Sequence, residues 1–370
     1  TAKRRLGTPV VFDAAGGTAL TNRRLIAAVL VFARAIRKRC PEQNLGILLP
    51  ASSAGVIANL AGWLAGKTVV NLNYTASPQA LRAALDTAGI RNVVSAKRFL
   101  RKLEQRDIDA GTLLAGVQLH AMEDIRAGVG KVQSLAMLTA AIALPAWLLR
   151  ARYCHWVHPE DTAAILFSSG SEGKPKGVEL THRNILANVR QIADVLNTET
   201  DDLMLSNLPL FHAFGLTATT ALPLLEGIPM VCHPDPTDAL GNAKAIARYK
   251  ATVLCSTSTF LRLYVRHRRV HPLMLDSLRI VVAGAERLSP DVRDAFAVKF
   301  GKRLYEGYGA TETTPVASVN VPDAIEVGNW KVQVGSKPGT VGMPLPGTSF
   351  RIVDPDTLAP MPTGEDGLIL

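Results

Sequence analysis

The chain has 370 residues, of which 48% are hydrophobic, so it is globular and large enough for two or more substructures. Its cysteines form no C-x-x-C pair and no metal-ligand spacing, which argues against a disulfide framework or a zinc site and favours reduced thiols in a cytosolic compartment. They are Cys40, Cys154, Cys232 and Cys255.

The net charge of +10 is uneven and includes the clusters Lys3-Arg4-Arg5 and Lys97-Arg98 with Arg101-Lys102. Such a balance suits an anionic partner: a nucleotide, an acidic protein, an anionic membrane or a nucleic acid. Solvated helix faces account for most of these charges. Because basic and aromatic residues do not alternate and no nucleic-acid motif is present, we expect no nucleic acid among the partners.

The first part of the chain alternates strands and helices. A strand at 10–12 and a turn at Gly16-Gly17 precede an amphipathic helix over about 21–39. Further strands are predicted at 45–49, 67–72 and 92–95, and further helices at 53–66, 78–88 and 96–106. This alternation predicts a parallel sheet with helices on both faces.

The segment 132–149 carries no charge and is flanked by Lys131, Arg150 and Arg152. A membrane span needs roughly 20 predominantly apolar residues, and this stretch is shorter and contains Pro145. Three interpretations are open: a buried helix, a helix in a membrane interface and a true span. The first two fit the length better, and the second predicts a peripheral membrane contact.

The stretch 163–177 joins an apolar run, 163–167, to a loop of hydroxyl residues, glycines and two lysines. Thr181 can cap a helix whose apolar residues then recur at helical spacing. Strand, loop and helix commonly form a phosphate cradle, because glycine permits close backbone approach and lysine adds charge. The Walker spacing is absent. For the glycines alone, a solvated connection is the alternative.

Beyond this loop the alternation resumes. Strands are predicted at 203–207, 229–232, 253–255, 278–283 and 303–305, and helices at 215–226, 238–250, 258–267 and 289–299. The predicted divisions are a first α/β subdomain over 1–160, a second over 161–339 and a small β-subdomain over 340–370. The chain opens without methionine and closes in what reads as a strand, so we expect a fragment at both ends.

Three strings follow predicted strands, at the edge where open α/β sheets bind ligands. They are Leu208-Pro-Leu-Phe-His-Ala-Phe-Gly215, Val282-Ala-Gly-Ala-Glu286 and Tyr305-Glu-Gly-Tyr-Gly-Ala-Thr-Glu312. Taken singly, His212 could be a packed residue, Gly284 part of a turn and Glu312 a helix cap. In this order after the 163–177 loop, the strings resemble the acyl-adenylate-forming superfamily of acyl-CoA synthetases, luciferases and peptide-synthetase adenylation domains.

The resemblance runs from about residue 10 to the end and implies an α/β fold class. It implies the large N-terminal domain of such an enzyme, with two mostly parallel sheets flanked by helices and the start of a small β-barrel subdomain. The superfamily's ribose-binding aspartate, hinge and C-terminal lid domain with its catalytic lysine are absent from this sequence. We therefore expect the piece to fold and bind nucleotide weakly, but to make little acyl-adenylate.

The resemblance also implies ATP and Mg²⁺ as cofactors. The loop would hold the β- and γ-phosphates through Ser168, Ser169, Gly170, Ser171, Gly173, Lys174 and Gly177. Tyr308 would stack on adenine and Thr311 would meet the α-phosphate. The other implied nucleotide contacts are Gly284, Ala285, Glu286, Gly307 and Gly309. Ser171 and Glu312 are the implied Mg²⁺ ligands, oxygen donors suited to a hard cation.

His212, Glu312 and Lys176 are the implied catalytic residues, with His212 between the acyl carboxylate and the α-phosphate. Phe214 and Phe260 would line the acyl tunnel. The implied reaction has two halves: a fatty carboxylate attacks the α-phosphate of ATP, and a phosphopantetheine thiol then takes the acyl group from acyl-AMP. Negative charge gathers at phosphorus in the first half, so cationic groups must be in place beforehand.

Glu172 stands where the superfamily usually has threonine. With Asn73-Tyr74, Pro209–His212 and Ala283–Glu286, the loop is similar to that of the bifunctional 2-acylglycerophosphoethanolamine acyltransferase/acyl-[acyl-carrier-protein] synthetases of bacteria. The chain would be their synthetase half. This likeness implies acyl carrier protein as a partner, a role in lysophospholipid reacylation, and a place at the cytoplasmic face of the inner membrane or in the cytoplasm.

That family's acyltransferase pattern, H-x4-D, also occurs here at His233/Asp238 and His271/Asp276. We interpret both as chance matches. Two other functions stay open. A long-chain acyl-CoA synthetase, with CoA as acceptor, shares every motif. A non-catalytic adenylate-binding or membrane-associated module is disfavoured by the joint presence of Ser171, Thr311 and Glu312.

Overall fold

A computed structural model describes residues 2–106, 108–169, 175–326, 328 and 330–370. Its strands up to residue 181 are β1 (Pro9–Asp13), β2 (Thr18–Thr21), β3 (Asn44–Leu48), β4 (Thr68–Asn71), β5 (Asn92–Ser95), β6 (Gln118–Ala121), β7 (Thr162–Ser169) and β8 (Pro175–Thr181). The helices up to residue 196 are α1 (Asn22–Arg39), α2 (Ser53–Leu64), α3 (Pro78–Thr87), α4 (Lys97–Glu104), α5 (Ala110–Leu113), α6 (Met122–Ala127), α7 (Lys131–Ala143), α8 (Ala146–Tyr153) and α9 (His182–Leu196).

The later strands are β9 (Met204–Ser206), β10 (Met230–Cys232), β11 (Val253–Ser256), β12 (Ile280–Ala283), β13 (Tyr305–Gly309), β14 (Val316–Val319), β15 (Ala324–Glu326), β16 (Lys331–Gln333), β17 (Met343–Pro344), β18 (Ile352–Val353) and β19 (Leu368–Ile369). The later helices are α10 (Leu222–Glu226), α11 (Ala239–Tyr249), α12 (Ser258–Arg266) and α13 (Pro290–Phe300). A π-helix spans Phe214–Ala221, and 3-10 helices span Ala2–Arg4, Pro272–Leu275 and Thr311–Thr313.

Two mostly parallel sheets dominate the fold, as the sequence predicts. Among the described residues, the larger sheet has nine strands in the order β17-β14-β13-β12-β11-β9-β10-β1-β2, and the smaller has six in the order β6-β5-β3-β4-β7-β8. The run from β13 to β1 is parallel, whereas β2, β14 and β17 are antiparallel to their neighbours. In the smaller sheet β8 alone of the described strands is antiparallel.

The strands are not divided between the sheets at the boundary predicted at residue 160. β1 and β2 belong to the larger sheet, because β1 pairs in parallel with β10. β7 and β8 belong to the smaller sheet, because β7 pairs in parallel with β4. One buried apolar cluster then joins both sheets through α1, α2, α9 and the π-helix. The two α/β units therefore share a core.

The segment after the phosphate loop differs from the predicted loop-to-helix connection. Residues 175–181 form β8, which pairs with β7 in a hairpin whose register places Gly177 opposite Phe167. Val178 and Leu180 supply the period-two apolar pattern of this strand. The predicted cap is confirmed: Thr181 Oγ1 accepts from the Asn184 N–H (3.1 Å) and Asn184 Oδ1 accepts from the Thr181 N–H (2.9 Å).

The uncharged segment 132–149 is two helices rather than one. Leu144 is extended and Pro145 precedes α8, because proline has no N–H to donate and disfavours a helical residue before it. Met137, Ala140 and Leu149 pack with Leu30 of α1 in a small buried cluster. Within the described residues no helix is long and apolar enough to cross a membrane.

Candidate adenylate site

The end of the β7–β8 hairpin that adjoins the phosphate loop carries the first predicted site residues. Ser168 pairs with Lys176 and Ser169 with Pro175, so Ser168 and Lys176 project from the same face of the hairpin. Ser168 is half-buried, whereas Lys176 and Gly177 are exposed. Gly170, Ser171, Glu172, Gly173 and Lys174, including one predicted Mg²⁺ ligand, lie outside the described residues.

The turn after β13 carries Thr311 and Glu312 on the 3-10 helix Thr311–Thr313, which lies against β8. The chain reverses sharply here: Thr313 Oγ1 accepts from the Ala310 N–H at 2.9 Å. A Cβ on Gly309 would stand 1.7 Å from the carbonyl oxygen of Pro315, so only glycine fits this position. The fold thus brings two motifs, more than 130 residues apart in sequence, to one place.

Asn188, which was not among the predicted site residues, links the helix that follows the hairpin to the strand that follows the turn. Its side chain is only 4% exposed. Its Nδ2 donates to the Val316 carbonyl (2.7 Å), and its Oδ1 accepts from the Val316 N–H (3.3 Å). Helix α9 follows the hairpin directly, and β14 follows the 3-10 turn. The available signal was an asparagine on the apolar face of an amphipathic helix, where an unpaired amide is costly.

The motif at the end of β12, residues 282–286, forms a second side of the candidate site. Gly284 is buried, its N–H donates to the Ser256 carbonyl (3.0 Å), and Ala285 has a positive φ of 67°. Glu286 accepts from the Thr259 N–H and from Thr259 Oγ1. Partial burial acts to raise the pKa of Glu286, but these hydrogen bonds from Thr259 outweigh it and hold the pKa below its ordinary value. The ionised carboxylate therefore anchors the start of α12.

Phe214 connects three of the predicted strings. A Cβ built on Gly284 would lie 3.3 Å from the Phe214 ring and 3.6 Å from the Gly307 carbonyl oxygen. The aromatic ring of Phe214 thus packs directly over the backbone of Gly284, where a side chain would crowd it. Phe260, at the start of α12, is half-buried and packs against the same core.

Tyr308 is 39% exposed, and its ring meets Phe350 edge-on with the ring centroids 6.2 Å apart. An aromatic ring with one open face can stack on a planar base. Phe350 was not among the predicted site residues, because it lies beyond the motifs in a segment without helical or strand periodicity.

His212 lies between β9 and the π-helix. Its N–H donates to the Pro209 carbonyl (3.2 Å) and its carbonyl accepts from the Leu216 N–H (2.9 Å). A Cβ on Gly215 would be 2.0 Å from the Pro209 carbonyl oxygen, so this bend also depends on glycine. The His212 ring packs on Phe211, with ring centroids 4.8 Å apart, and keeps an exposed edge. Desolvation by these neighbours lowers the pKa of His212 below its ordinary value of 6.5.

We therefore expect His212 to be neutral at pH 7 and to gain its proton only as the pH falls below 6.5. Because the pKa is depressed in the folded state, the stability linked to the neutral ring is present above the unfolded pKa and is lost as the pH falls through the folded pKa. NMR titration of the imidazole in the wild type and in His212→Gln, which removes and so assigns the signal, measures this. A midpoint at or above 6.5 would contradict it.

The site offers one carboxylate suited to Mg²⁺. Glu312 is exposed and has no hydrogen-bond or ion-pair partner within the described residues. No group of three or more His, Cys, Asp or Glu side chains is assembled among those residues. Mg²⁺ usually takes one or two protein carboxylates and completes its shell with phosphate oxygens and water. Glu312 fits that mode of binding, in which bound nucleotide supplies the remaining ligands.

The two H-x4-D pairs have local structural roles. His233 is buried with its Nε2 3.7 Å from Asp238 Oδ2, and Asp238 caps α11 by accepting from the Gly241 N–H (2.8 Å). His271 caps the 3-10 helix Pro272–Leu275 through the Leu273 N–H (3.2 Å). Both pairs contribute to chain geometry at the turns where they lie.

Comparison with known proteins identifies the fold. The chain is 28% identical over 322 residues to the long-chain-fatty-acid–CoA ligase of Salmonella typhimurium, covering 81% of this chain and 55% of the relative. The chain thus spans about half the length of the curated relatives it matches.

Among solved structures, ATP-bound MatB from Rhodopseudomonas palustris is 26% identical with a TM-score of 0.76, covering 100% of this chain and 68% of MatB. An anthranilate CoA ligase, AuaEII, solved with anthranoyl-AMP, is 21% identical with a TM-score of 0.80, covering 99% of this chain and 66% of the ligase. This second likeness shows the fold alone. The model of the AMP-binding enzyme family matches residues 1–370. The chain belongs to the AMP-binding enzyme family.

Proposed function

We propose that this chain activates a fatty acid with ATP, forming acyl-AMP and pyrophosphate. The observation that carries the proposal is the contact between the β7–β8 hairpin and the 3-10 turn, which places Lys176 in the same region as Thr311 and Glu312. The naming of curated relatives as long-chain-fatty-acid–CoA ligases supports a fatty acid as the substrate.

In this proposal the hairpin holds the β- and γ-phosphates, and Lys176 offsets their charge. Thr311 contacts the α-phosphate and Tyr308 stacks on the adenine, beside the wall formed by Gly284. Neutral His212 donates or accepts a hydrogen bond where the acyl carboxylate meets the α-phosphate, without adding a cation that would compete for the nucleophile. Mg²⁺ held by Glu312 would neutralise charge that develops during phosphoryl transfer.

We further propose acyl carrier protein as the acceptor, through its phosphopantetheine thiol, in the service of lysophospholipid reacylation. The motif around Glu172 supports this choice, and so does the net charge of +10, which complements an acidic carrier. CoA is the alternative acceptor, and the CoA ligase relatives favour it. The two acceptors share the same first half-reaction, so the adenylate site does not distinguish them.

Fatty-acid-dependent exchange between ATP and labelled pyrophosphate, measured with the full natural protein, tests the first half-reaction. We expect exchange that requires Mg²⁺ and falls about 100-fold in Glu312→Gln. Product formation with carrier protein and with CoA then identifies the acceptor. No exchange in the wild type, together with normal ATP binding, would favour a non-catalytic adenylate-binding module.

We also propose that α7 and α8 lie on an anionic membrane surface. The outward face of α7 and the start of α8 carry exposed apolar residues at helical spacing: Val132, Leu135, Ala136, Ile142, Ala143 and Trp147. Thr139 on this face turns its hydroxyl back to the Leu135 carbonyl (2.9 Å). Exposed Lys131, Arg150 and Arg152 flank the stripe, an arrangement that suits phospholipid headgroups.

The variant Leu135→Ser with Trp147→Ser is expected to bind anionic vesicles about tenfold more weakly, because each side chain loses apolar area buried in the interface. Both residues are exposed (65% and 70%), so the fold tolerates the changes. Co-sedimentation measures the binding. The matched control is Val298→Ser on α13, where an 89% exposed valine lies away from the stripe. Equal binding by all three proteins would refute the contact.

A further inference from the structure

A large cavity lies apart from the candidate adenylate site. It has a volume of about 620 Å³ and is enclosed by the 3-10 helix Ala2–Arg4 with α1, α2, α8, α9 and α10. Ligand-binding cavities commonly measure roughly 300–1,000 Å³, so it is large enough for an extended organic molecule. We call it the amino-edge cavity, because residues at the amino ends of β1 and β10 line it.

The amino-edge cavity lies at the opposite side of the sheets from the site motifs. Pro9, which begins β1, and Pro229, which precedes β10, line it. His182, the first residue of α9, also lines it. In the hairpin, Thr181 pairs with Thr162 at the end remote from the phosphate loop. The eight residues of β7 separate the two ends by roughly 26 Å.

The interior of the cavity is a hydrocarbon surface. Leu25, Val29, Leu30 and Trp63 are among its walls, and the indole N–H of Trp63 is already donated to the Ala163 carbonyl (2.9 Å). The walls contain no aspartate or glutamate within the part of the chain that the structure describes. Such a lining favours an unbranched or flexible apolar ligand, which loses water contact on entry without leaving polar groups unpaired.

The charged residues that line the cavity are all basic: Lys3, Arg5 and Arg150. Arg5 also borders a smaller neighbouring pocket lined by Glu199 and Glu226. Arg5 and Arg150 are exposed lining residues, and neither guanidinium has a carboxylate partner among the described residues. Lys3 differs, since its Nζ donates to the Ala141 (2.7 Å) and Ile142 (3.0 Å) carbonyls at the end of α7. The 3-10 helix thereby holds α7 in place, while the two arginines remain free to bind an anion in a forked geometry.

We propose that the amino-edge cavity binds a fatty acid, with the chain along the apolar walls and the carboxylate at Arg5 and Arg150. An apolar interior with basic lining residues matches a single-chain anionic amphiphile. Helix α8 contributes Arg150 and buried Leu149 to this cavity and exposed Trp147 to the outer apolar stripe, so one helix takes part in both. This second acyl site goes beyond the proposed adenylation and does not depend on it.

Tryptophan quenching provides the test, because Trp63 lines the cavity and the other three tryptophans, Trp147, Trp156 and Trp330, are exposed. Replacing those three with phenylalanine leaves Trp63 as the single reporter. We expect brominated palmitate to quench it in a saturable manner without ATP. In that background Arg150→Gln should weaken palmitate binding about fivefold and leave binding of the equivalent brominated alcohol unchanged.

Arg152→Gln is the matched control, since Arg152 lies on the same helix, is exposed and does not line the cavity. Far-UV circular dichroism confirms that each variant is folded. Quenching that does not saturate, or an equal loss of affinity in Arg150→Gln and Arg152→Gln, would overturn the proposal. Since the readout needs no nucleotide, its failure is distinguishable from a failure of ATP–pyrophosphate exchange.

Discussion

Gly309→Ala is expected to abolish nucleotide binding and to lower the free energy of unfolding by about 3 kcal/mol. The added Cβ would meet the Pro315 carbonyl oxygen at 1.7 Å and its carbon at 2.7 Å, and both are backbone atoms. They have little room to move, because Val316 beyond them is held by Asn188. Relief of the clash must displace the turn with Thr311 and Glu312. Urea denaturation and calorimetric titration with ATP and Mg²⁺ measure the two effects.

Gly7→Ala is the control for the Gly309 variant. A Cβ at Gly7 has nothing within 4 Å, and its φ is not in the positive range, so stability and nucleotide affinity should both stay near wild type. If Gly309→Ala bound ATP as well as Gly7→Ala does, the turn would not be part of the nucleotide site.

Asn188→Leu is expected to cost roughly 2–3 kcal/mol of stability and to weaken ATP binding in the protein that remains folded. Leucine has the same number of side-chain heavy atoms as asparagine, branched at the same carbon, but leaves the N–H and carbonyl of Val316 without their side-chain partner. The hydrogen bonds that join α9, next to the hairpin, to β14, next to the 3-10 turn, are then lost. Denaturant unfolding gives the stability, and titration below the unfolding transition gives the affinity.

Arg190→Ala provides the comparison on the same helix. Arg190 is exposed and, within the described residues, its only ion pair is with Asp194 four residues on, an interaction worth about 0–1 kcal/mol. A purely structural role for Asn188 would lower stability while the folded protein kept wild-type ATP affinity. That outcome would show that Asn188 does not position the site.

The sequence predicts most helices of this fold because their cause is local. Residues 22–39 and 182–196 repeat apolar residues at helical spacing, and Thr181 provides a cap with Asn184 as its reciprocal partner. Pro145 marks the break in the uncharged segment. Apolar residues continue on both sides of Pro145, so their spacing alone does not predict where the first helix ends.

What the sequence did not predict depends on contacts between distant segments. β8 contains two residues with low strand preference, Pro175 and Gly177, and becomes a strand by pairing with β7. The presence of β1 in the larger sheet likewise depends on its pairing with β10, a strand distant in sequence, and no local pattern encodes that pairing. Asn188 was missed for the same reason, since its partner lies 128 residues away.

The site motifs could be predicted from the sequence, because each follows a buried strand at the carboxyl edge of a sheet. The sequence could not give their mutual arrangement: that Phe214 covers Gly284, that Glu286 is engaged by Thr259, or that the hairpin meets the turn at 311–313. These contacts bring the separate sequence motifs together in one candidate site.

The central claim is that the β7–β8 hairpin and the 311–313 turn form one Mg²⁺-assisted nucleotide site. Calorimetric titration of ATP, with and without Mg²⁺, tests it most directly when wild type, Glu312→Gln and the control Glu365→Gln are compared. We predict that Mg²⁺ strengthens ATP binding by about tenfold or more in the wild type and in Glu365→Gln, and has little effect in Glu312→Gln. Absence of ATP binding in the wild type, or an undiminished effect of Mg²⁺ in Glu312→Gln, would contradict the claim.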